Sequence, residues 1–332
     1  MPLPEPLTLL LGSPWPWPLL QAGALLLAWA LDRRFGEPPD RWHPVAWLGR
    51  LLGPVGRFWR DHAPAAAFAG GALSWLLIAV VLAGAAWALQ RWIAALPGPL
   101  ALVLLALALK PLFACRMLCD EVAAVEAALA QSLQAGRARL AWLVSRDVTR
   151  LDAGEVRESA IETLAENLND SVVSPLAWFA LAGLPGAVLY RFANTADAMW
   201  GYRGAWEWAG KWAARADDLL SWPGARVTAL LLRPVWRLSD WARLAREAAV
   251  TPSPNGGWPM GALALRLGVR LRKPGVYALH AEGRSPEAAD LLGGLRLARA
   301  AAWFWTVALA GGLAGHGVIT LTRLAGGGSL SS

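Results

Sequence analysis

Five stretches of this 332-residue chain carry no charged side chain and are long enough to cross the core of a bilayer: Pro6–Leu31, Ala63–Gln90, Trp92–Leu109, Ser171–Tyr190 and Ala300–Thr322. Backbone N–H and C=O groups inside a bilayer find no water, so such runs must satisfy themselves as helices, and roughly 20 apolar residues suffice for one crossing. With 56% of the residues hydrophobic and only 17% charged, the expected fold class is an all-α integral membrane protein. The N-terminus lacks the basic region and small-residue cleavage site of a secretory signal, so the first window is expected to stay as an anchor. Pro14, Pro16 and Pro18 break its first half, and a helix entering near Pro18 is short for a span.

Charge places the loops. Of the 31 Lys and Arg residues, six fall in 32–62, seven in 110–171 and sixteen in 191–299, and basic loops stay cytoplasmic. Five full spans would put the most basic segment outside. The sequence Ala182-Gly183-Leu184-Pro185-Gly186 in the fourth window offers a way out, because a breaker cluster there splits the window into two half-length helices. The expected architecture is one polytopic domain over 1–325. It has four spans near 14–31, 64–90, 98–115 and 300–322, a re-entrant hairpin near 171–193, cytoplasmic regions 32–62, 116–170 and 194–299, and a disordered tail at 326–332. Both termini lie outside. Helical periodicity is clear over Leu112–Gln134 and Val156–Leu168, Leu219–Trp236 reads as an interfacial helix, and no β pattern stands out.

The net charge of +7 does not indicate nucleic acid, since the basic residues are scattered among Trp and Leu without a tail or a recognition motif. Cys115 and Cys119 lie one helical turn apart without a second Cys/His pair, which reads as small apolar packing. The many tryptophans at the ends of apolar runs are expected at the membrane interface.

The polar feature that stands apart is Glu158, Glu162, Glu166 and Asp170, spaced four residues apart and running into the fourth apolar window. On a helix they stack along one face, and like charges at that spacing cost a few tenths of a kcal/mol per pair, roughly. Arg157 is the one nearby cation in sequence. Something cationic is expected against this face. Oxygen ligands suit hard cations, so beside Asn167, Asn169 and Asp147 a Mg²⁺-phosphate site is favoured over a solvated face.

Further polar motifs follow in order. They are Asp32-Arg33-Arg34-Phe35-Gly36-Glu37-Pro38-Pro39, then His43-Pro44-Val45 and Gly49-Arg50, and Ser145-Arg146-Asp147 before the acidic helix. Asn194-Thr195-Ala196-Asp197-Ala198-Met199 leads to Gly201-Tyr202-Arg203, Ala214-Arg215-Ala216-Asp217-Asp218 to Pro223-Gly224-Ala225-Arg226, and Pro252 to Pro259 closes the set. In this order, over nearly the whole chain, the series resembles the adenosylcobinamide-phosphate synthase family of cobalamin biosynthesis, the CobD/CbiB proteins. The resemblance implies a multi-pass enzyme of the cell inner membrane with cytoplasmic catalytic loops. Such an enzyme joins adenosylcobyric acid to (R)-1-amino-2-propanol O-2-phosphate, or a similar amino alcohol phosphate, through an amide bond. Its partners would be the corrinoid, the amino alcohol phosphate, membrane lipid and other late-pathway membrane enzymes. A carboxylate needs activation before an amine displaces its oxygen, so ATP and Mg²⁺ are implied, although no G-x-x-x-x-G-K-[ST] occurs in the chain.

Residue type then suggests roles. Glu158, Glu162, Glu166 and Asp170, with Asp147, are the first choice for Mg²⁺, with Asp197, Asp217 and Asp218 the second acidic set. Glu162, Glu166, Asp147, Asp197, Asp217 and Asp218 are the candidate catalytic acids. Arg146, Arg203, Arg215 and Arg226 suit phosphate, and Asn167, Asn194 and Asn255 suit substrate amides, with turn formation the favoured role for Asn255. Tyr202 is a candidate proton carrier or substrate contact, and His43, just before Pro44, is favoured as structural. Trp258 and the Trp200–Trp212 cluster are weighed as stacking surfaces for the corrin against interfacial anchors. Two other classes stay open: a Mg²⁺-dependent membrane phosphoalcohol transferase, and a non-catalytic membrane sensor or scaffold.

Overall fold

The computed structural model describes residues 15–233 and 237–327, with side chains up to 318. In chain order the helices are α1 (Trp17–Phe35), α2 (Pro44–Arg60), α3 (Pro64–Ala94), α4 (Gly98–Leu109), α5 (Cys115–Leu129), α6 (Leu133–Leu140), α7 (Ala153–Leu168), α8 (Ser174–Trp200), α9 (Lys211–Leu232), α10 (Leu238–Ala248), α11 (Gly257–Leu267) and α12 (Ala288–Gly327). A 3₁₀ turn, Lys110–Leu112, follows α4, and a π-helical turn, Asn169–Val173, joins α7 to α8. Between α11 and α12 a short hairpin pairs β1 (Leu271–Lys273) with β2 (Tyr277–Leu279) in antiparallel register. The sequence showed no strand here because three residues are too few for an alternating pattern to declare itself.

Four helical stretches are long and apolar enough to cross a membrane: Pro64–Ala94, Gly98–Leu129, Ala153–Trp200 and Ala288–Val318. Three of them coincide with the expected spans near 64–90, 98–115 and 300–322. The helix in the first window, Trp17–Phe35, ends in Asp32, Arg33 and Arg34 and is not among them, whereas the stretch containing the breaker cluster is. That cluster does interrupt its helix: Gly183 has φ 66° and ψ −154°, a conformation that only glycine adopts readily. Cys115 and Cys119 are buried free thiols, as packing residues should be. Gly326 and Gly327 still belong to α12, and the rest of the expected tail lies outside the described residues, as do Pro14 and the last residues of the Leu219–Trp236 segment.

The chain forms two compact units. The first comprises 1–113, 175–214 and 304–332. In it α1 packs along α4, burying Leu20, Ala24, Leu25 and Ala28 with Ala101, Leu105 and Leu109. Gln21 donates to the carbonyl of Phe179 at 2.9 Å, and Gln90 accepts from the backbone N–H of Leu184, just past the Gly183 break, at 2.8 Å. These side-chain amides satisfy backbone groups that the kink would otherwise leave bare.

The second unit comprises 114–174 and 215–303. Its centre is α7, which opens with a reciprocal capping box between Asp152 and Glu155. Val156, Ala160, Ile161, Leu164, Ala165 and Leu168 are buried among α5, α6, α11 and β1. Glu158 and Glu162 are buried as well, so α7 is enclosed nearly all round and has no solvated acidic face.

Candidate functional site

Two charged clusters lie inside this apolar protein, one in each unit. In the first unit Gly36 ends α1 at φ 68° and turns the chain so that Glu37 reaches Lys110. Lys110 Nζ sits 2.6 Å from Glu37 and 3.1 Å from the fully buried Asp32. Glu37 also meets His43 Nε2 at 3.0 Å. The other ring nitrogen, Nδ1, accepts the backbone N–H of Val45 at 3.2 Å and so caps α2. Burial pushes the Glu37 carboxyl upward, but His43 and Lys110 outweigh it and hold the group below the usual glutamate range. His43 is thus a structural residue, as its place before Pro44 suggested.

The second cluster is built on α7. Glu158, wholly buried, accepts from the backbone N–H of Arg272 at 2.8 Å and from its guanidinium at 3.1 and 3.3 Å. One turn on, Glu162 Oε2 accepts from Arg146 Nη2 at 2.6 Å. The cation expected against the acidic face is therefore arginine, delivered from the 145–147 loop and from β1. Arg157, the neighbour in sequence, is instead held in a bidentate pair by Glu126 of α5, both contacts being 2.7 Å.

Around Glu162 a cavity of about 180 Å³ opens, lined by Ser145, Arg146, Thr163, Glu166, Asn167, Lys273 and Tyr277. Two buried atoms at its wall, Arg146 Nη1 and Glu162 Oε1, meet no hydrogen-bond partner of good geometry, although the Tyr277 phenol lies close enough to bond with the Glu162 carboxylate. The hairpin register sets Lys273 directly across from Tyr277. Burial and the adjacent Glu162 carboxylate push the Tyr277 phenol up, so it stays protonated and serves as a donor. Sequence reasoning missed both Lys273 and Tyr277. The one local signal was Pro274-Gly275, a turn pair whose Gly275 takes φ 72°.

The other expected site residues are dispersed. Asp170 lies in the π-turn that follows α7, and its carboxylate accepts from Asn169 Nδ2 at 2.7 Å. Asp147 is exposed and closes a turn with the N–H and hydroxyl of Thr149, which hold its carboxyl below the usual range. Asn167, at the cavity wall, donates to the carbonyl of Thr163. Asp217 accepts from Ser221 at 3.5 Å, Arg215 is exposed, and burial pushes the Asp218 carboxyl up. Arg226 lies between the Trp222 and Trp258 rings at 4.5 and 4.7 Å and donates to Asn255 at 2.6 Å and to the Pro254 carbonyl. Asn255 in turn donates to the Asp218 carbonyl at 2.7 Å, so Arg226 and Asn255 hold the Pro/Gly loop. Trp258 stacks on Arg226 and Trp241 rather than offering a free face for a corrin. In the first unit Asn194 accepts weakly from Arg191, the Asp197 carboxylate lies against Gly201, and Tyr202 and Arg203 are exposed.

The four-acid set Glu158, Glu162, Glu166 and Asp170 does not gather as a resident metal site. Glu158 is taken up by arginine, and no three His, Cys, Asp or Glu side chains among the described residues come together to hold an ion.

Taken together, the long apolar helices define a multi-pass helical membrane protein, and one of its units encloses a charged cavity. The chain belongs to the CobD/CbiB family of cobalamin biosynthesis: the family model described as CobD/Cbib protein matches residues 25–301. It is 40% identical over 275 residues, 82% of this chain and 89% of the relative, to the "Probable cobalamin biosynthesis protein CobD" of Thermococcus kodakarensis. It is 39% identical over 303 residues, 85% and 93% of the two chains, to the "Cobalamin biosynthesis protein CobD" of Chromobacterium violaceum. No solved structure matches it significantly.

Proposed function

We propose that the chain is an adenosylcobinamide-phosphate synthase of the cell inner membrane. It would join the carboxylate of adenosylcobyric acid to the amine of (R)-1-amino-2-propanol O-2-phosphate, or a close amino alcohol phosphate, as an amide. The observation that carries this reading is the polar cavity beside Glu162 in a chain otherwise built from apolar helices. At about 180 Å³ it is smaller than the roughly 300–1,000 Å³ of pockets for drug-sized ligands. It suits the small phosphorylated amine, and the corrinoid is far too large for it.

The carboxylate needs a leaving group, and ATP with Mg²⁺ as its counter-ion would supply one as co-substrates; phosphoryl transfer to the carboxylate leaves ADP. The amine, freed of one proton by Glu162, then displaces phosphate from the acyl carbon, and the second proton it sheds leaves with the departing phosphate. This chain's part is to exclude water around the amine and to offer Glu162 as the carboxylate that holds it and takes the proton. The test is product formation in purified membranes given adenosylcobyric acid, the amino alcohol phosphate, ATP and Mg²⁺. Adenosylcobinamide phosphate should form, and its absence with every component present refutes the assignment.

The reading also puts 32–62, 110–171 and 191–299 in the cytoplasm, following the basic residues, with a re-entrant turn at Gly183. Single cysteines at Lys211 or Arg246 should be protected from an impermeant thiol reagent in intact cells. Strong labelling there would remove the re-entrant turn.

A further inference from the structure

We infer that a groove between α11 and α12 binds the headgroup of an anionic phospholipid, with the Arg266 and Arg296 guanidiniums on its phosphate and the first carbons of the lipid against Leu267, Leu297 and Ala300. This site is separate from the α7 cavity and does not depend on the amide-forming reaction proposed for it.

The groove has a volume of about 550 Å³ and is lined by Arg266, Leu267, Gly293, Arg296, Leu297 and Ala300. It forms where α11 ends against α12. Gly268 takes φ 68° and stops α11 just after Arg266 and Leu267. At Gly293 and Gly294 the lack of a side chain lets α11 close on α12. A Cβ at Gly293 would already stand 3.5 Å from Leu267 Cδ2, and one at Gly294 3.7 Å from Leu263 Cδ2. Arg296 Nη2 lies 3.9 Å from the same point at Gly293, so this guanidinium folds back over the glycine toward the groove.

Two cations and no carboxylate line the groove. Among the described residues neither arginine enters an ion pair or a side-chain hydrogen bond, whereas Arg146, Arg157, Arg272 and Arg284 of the same unit each hold a carboxylate. Like charges at one groove repel, and an anion between them removes that cost. The planar fork of arginine matches phosphate oxygens.

The position on α12 selects the source of the phosphate. Arg296 and Arg299 are the last charges before the uncharged run Ala300–Thr322, and α12 lies in a stretch long and apolar enough to cross a membrane. At about 1.5 Å per residue, Arg296 stands about 6 Å short of that run, within the roughly 5–7 Å of one headgroup layer. Leu292, Arg296, Ala300 and Trp303 recur every three or four residues and are all exposed, so the groove shares its face with apolar surface and an indole at interfacial depth. Basic pockets between helices at this depth collect anionic headgroups. A free phosphate would use the arginines alone; a phospholipid uses the leucines as well.

The test is native mass spectrometry of the full-length protein, released from a nonionic detergent and titrated with dioleoyl phosphatidylglycerol or dioleoyl phosphatidylcholine. The first phosphatidylglycerol should bind at least roughly tenfold more tightly than phosphatidylcholine, whose choline neutralises its phosphate. Arg266→Gln/Arg296→Gln should lower that first affinity roughly tenfold and leave phosphatidylcholine binding unchanged, which also reports an intact fold. Arg237→Gln/Arg243→Gln removes the same charge from exposed positions at α10 and should leave both affinities as they are. Glycerol 3-phosphate, a headgroup without chains, should not displace the lipid at equal concentration. Displacement would show a site for a soluble phosphate and overturn the inference. Equal affinities for the two lipids would do the same, as would equal losses in the groove and α10 variants.

Discussion

Each unit of the molecule holds a lysine or arginine against buried carboxylates, and the two clusters differ in their surroundings. Around Lys110 the carboxylates of Asp32 and Glu37 and the ring of His43 answer one another, and His43 goes on to cap α2. The cavity of about 620 Å³ that Glu37 and Lys110 edge is otherwise walled by Leu, Phe, Trp, Pro and Gly. Around Glu162 the ion pair with Arg146 is as short, but the smaller cavity beside it is lined mostly by polar side chains. Buried charge by itself therefore says little about function in this protein. The chemistry of the wall beside it says more.

The contrast is broken most easily at Lys110. Lys110→Met leaves two buried carboxylates without their cation, and removing one partner of a buried pair typically costs about 3–5 kcal/mol. Thermal survival of the detergent-solubilised variant should fall steeply, with activity lost because folded protein is lost. An unchanged melting curve would put the Lys110 cluster in the same class as the cavity.

Glu162→Gln should show the opposite signature. Arg146 borders the cavity and retains access to water, so the variant should melt close to wild type while amide formation drops at least tenfold, about 1.4 kcal/mol or more in transition-state binding. Loss of stability as large as that of Lys110→Met would mean that Glu162 serves the fold.

Arg226→Ala probes a third arrangement, a guanidinium stacked between two indoles and hydrogen-bonded to the 252–259 loop. Stacking and charge-assisted bonds together suggest a loss of about 2 kcal/mol. The readout is proteolytic nicking of that loop, with the affinity for amino alcohol phosphate left intact. A selective fall in that affinity would return Arg226 to phosphate binding.

The smallest effect expected is on pH. Because the folded protein holds Glu37 below the ordinary glutamate range, the ionised carboxylate adds stability that is complete at neutral pH. That stability fades as pH falls from the ordinary glutamate range through the lower folded-state value. Glu37→Gln should flatten that acid limb of the stability curve. An unchanged acid limb would show that His43 and Lys110 do not favour the charged form.

The acidic series on α7 shows where sequence reading succeeds and where it stops. That Glu158 and Glu162 would face something cationic followed from their spacing alone. That the cation is Arg272 for one and Arg146 for the other did not, since Arg272 is 114 residues away and arrives on a hairpin too short to be recognised. The π-turn at Asn169–Val173, where α7 passes into α8, left no mark in the spacing. The break at Gly183 was legible, since glycine and proline act locally. Three of the four expected spans recur among the membrane-length helices, because apolar run length is a property of each segment alone.

Composition, apolar run length and ordered motifs by themselves determined the all-helical membrane class and the family, because those properties are carried by each segment independently of its neighbours. Only the tertiary structure decided which charges neutralise each other and which stay open. An ion pair depends on distances between segments remote in sequence, and no local spacing records those. The pairing of Lys273 with Tyr277 across a hairpin, and the closure of Arg146 on Glu162 beside them, exist only once the chain has folded.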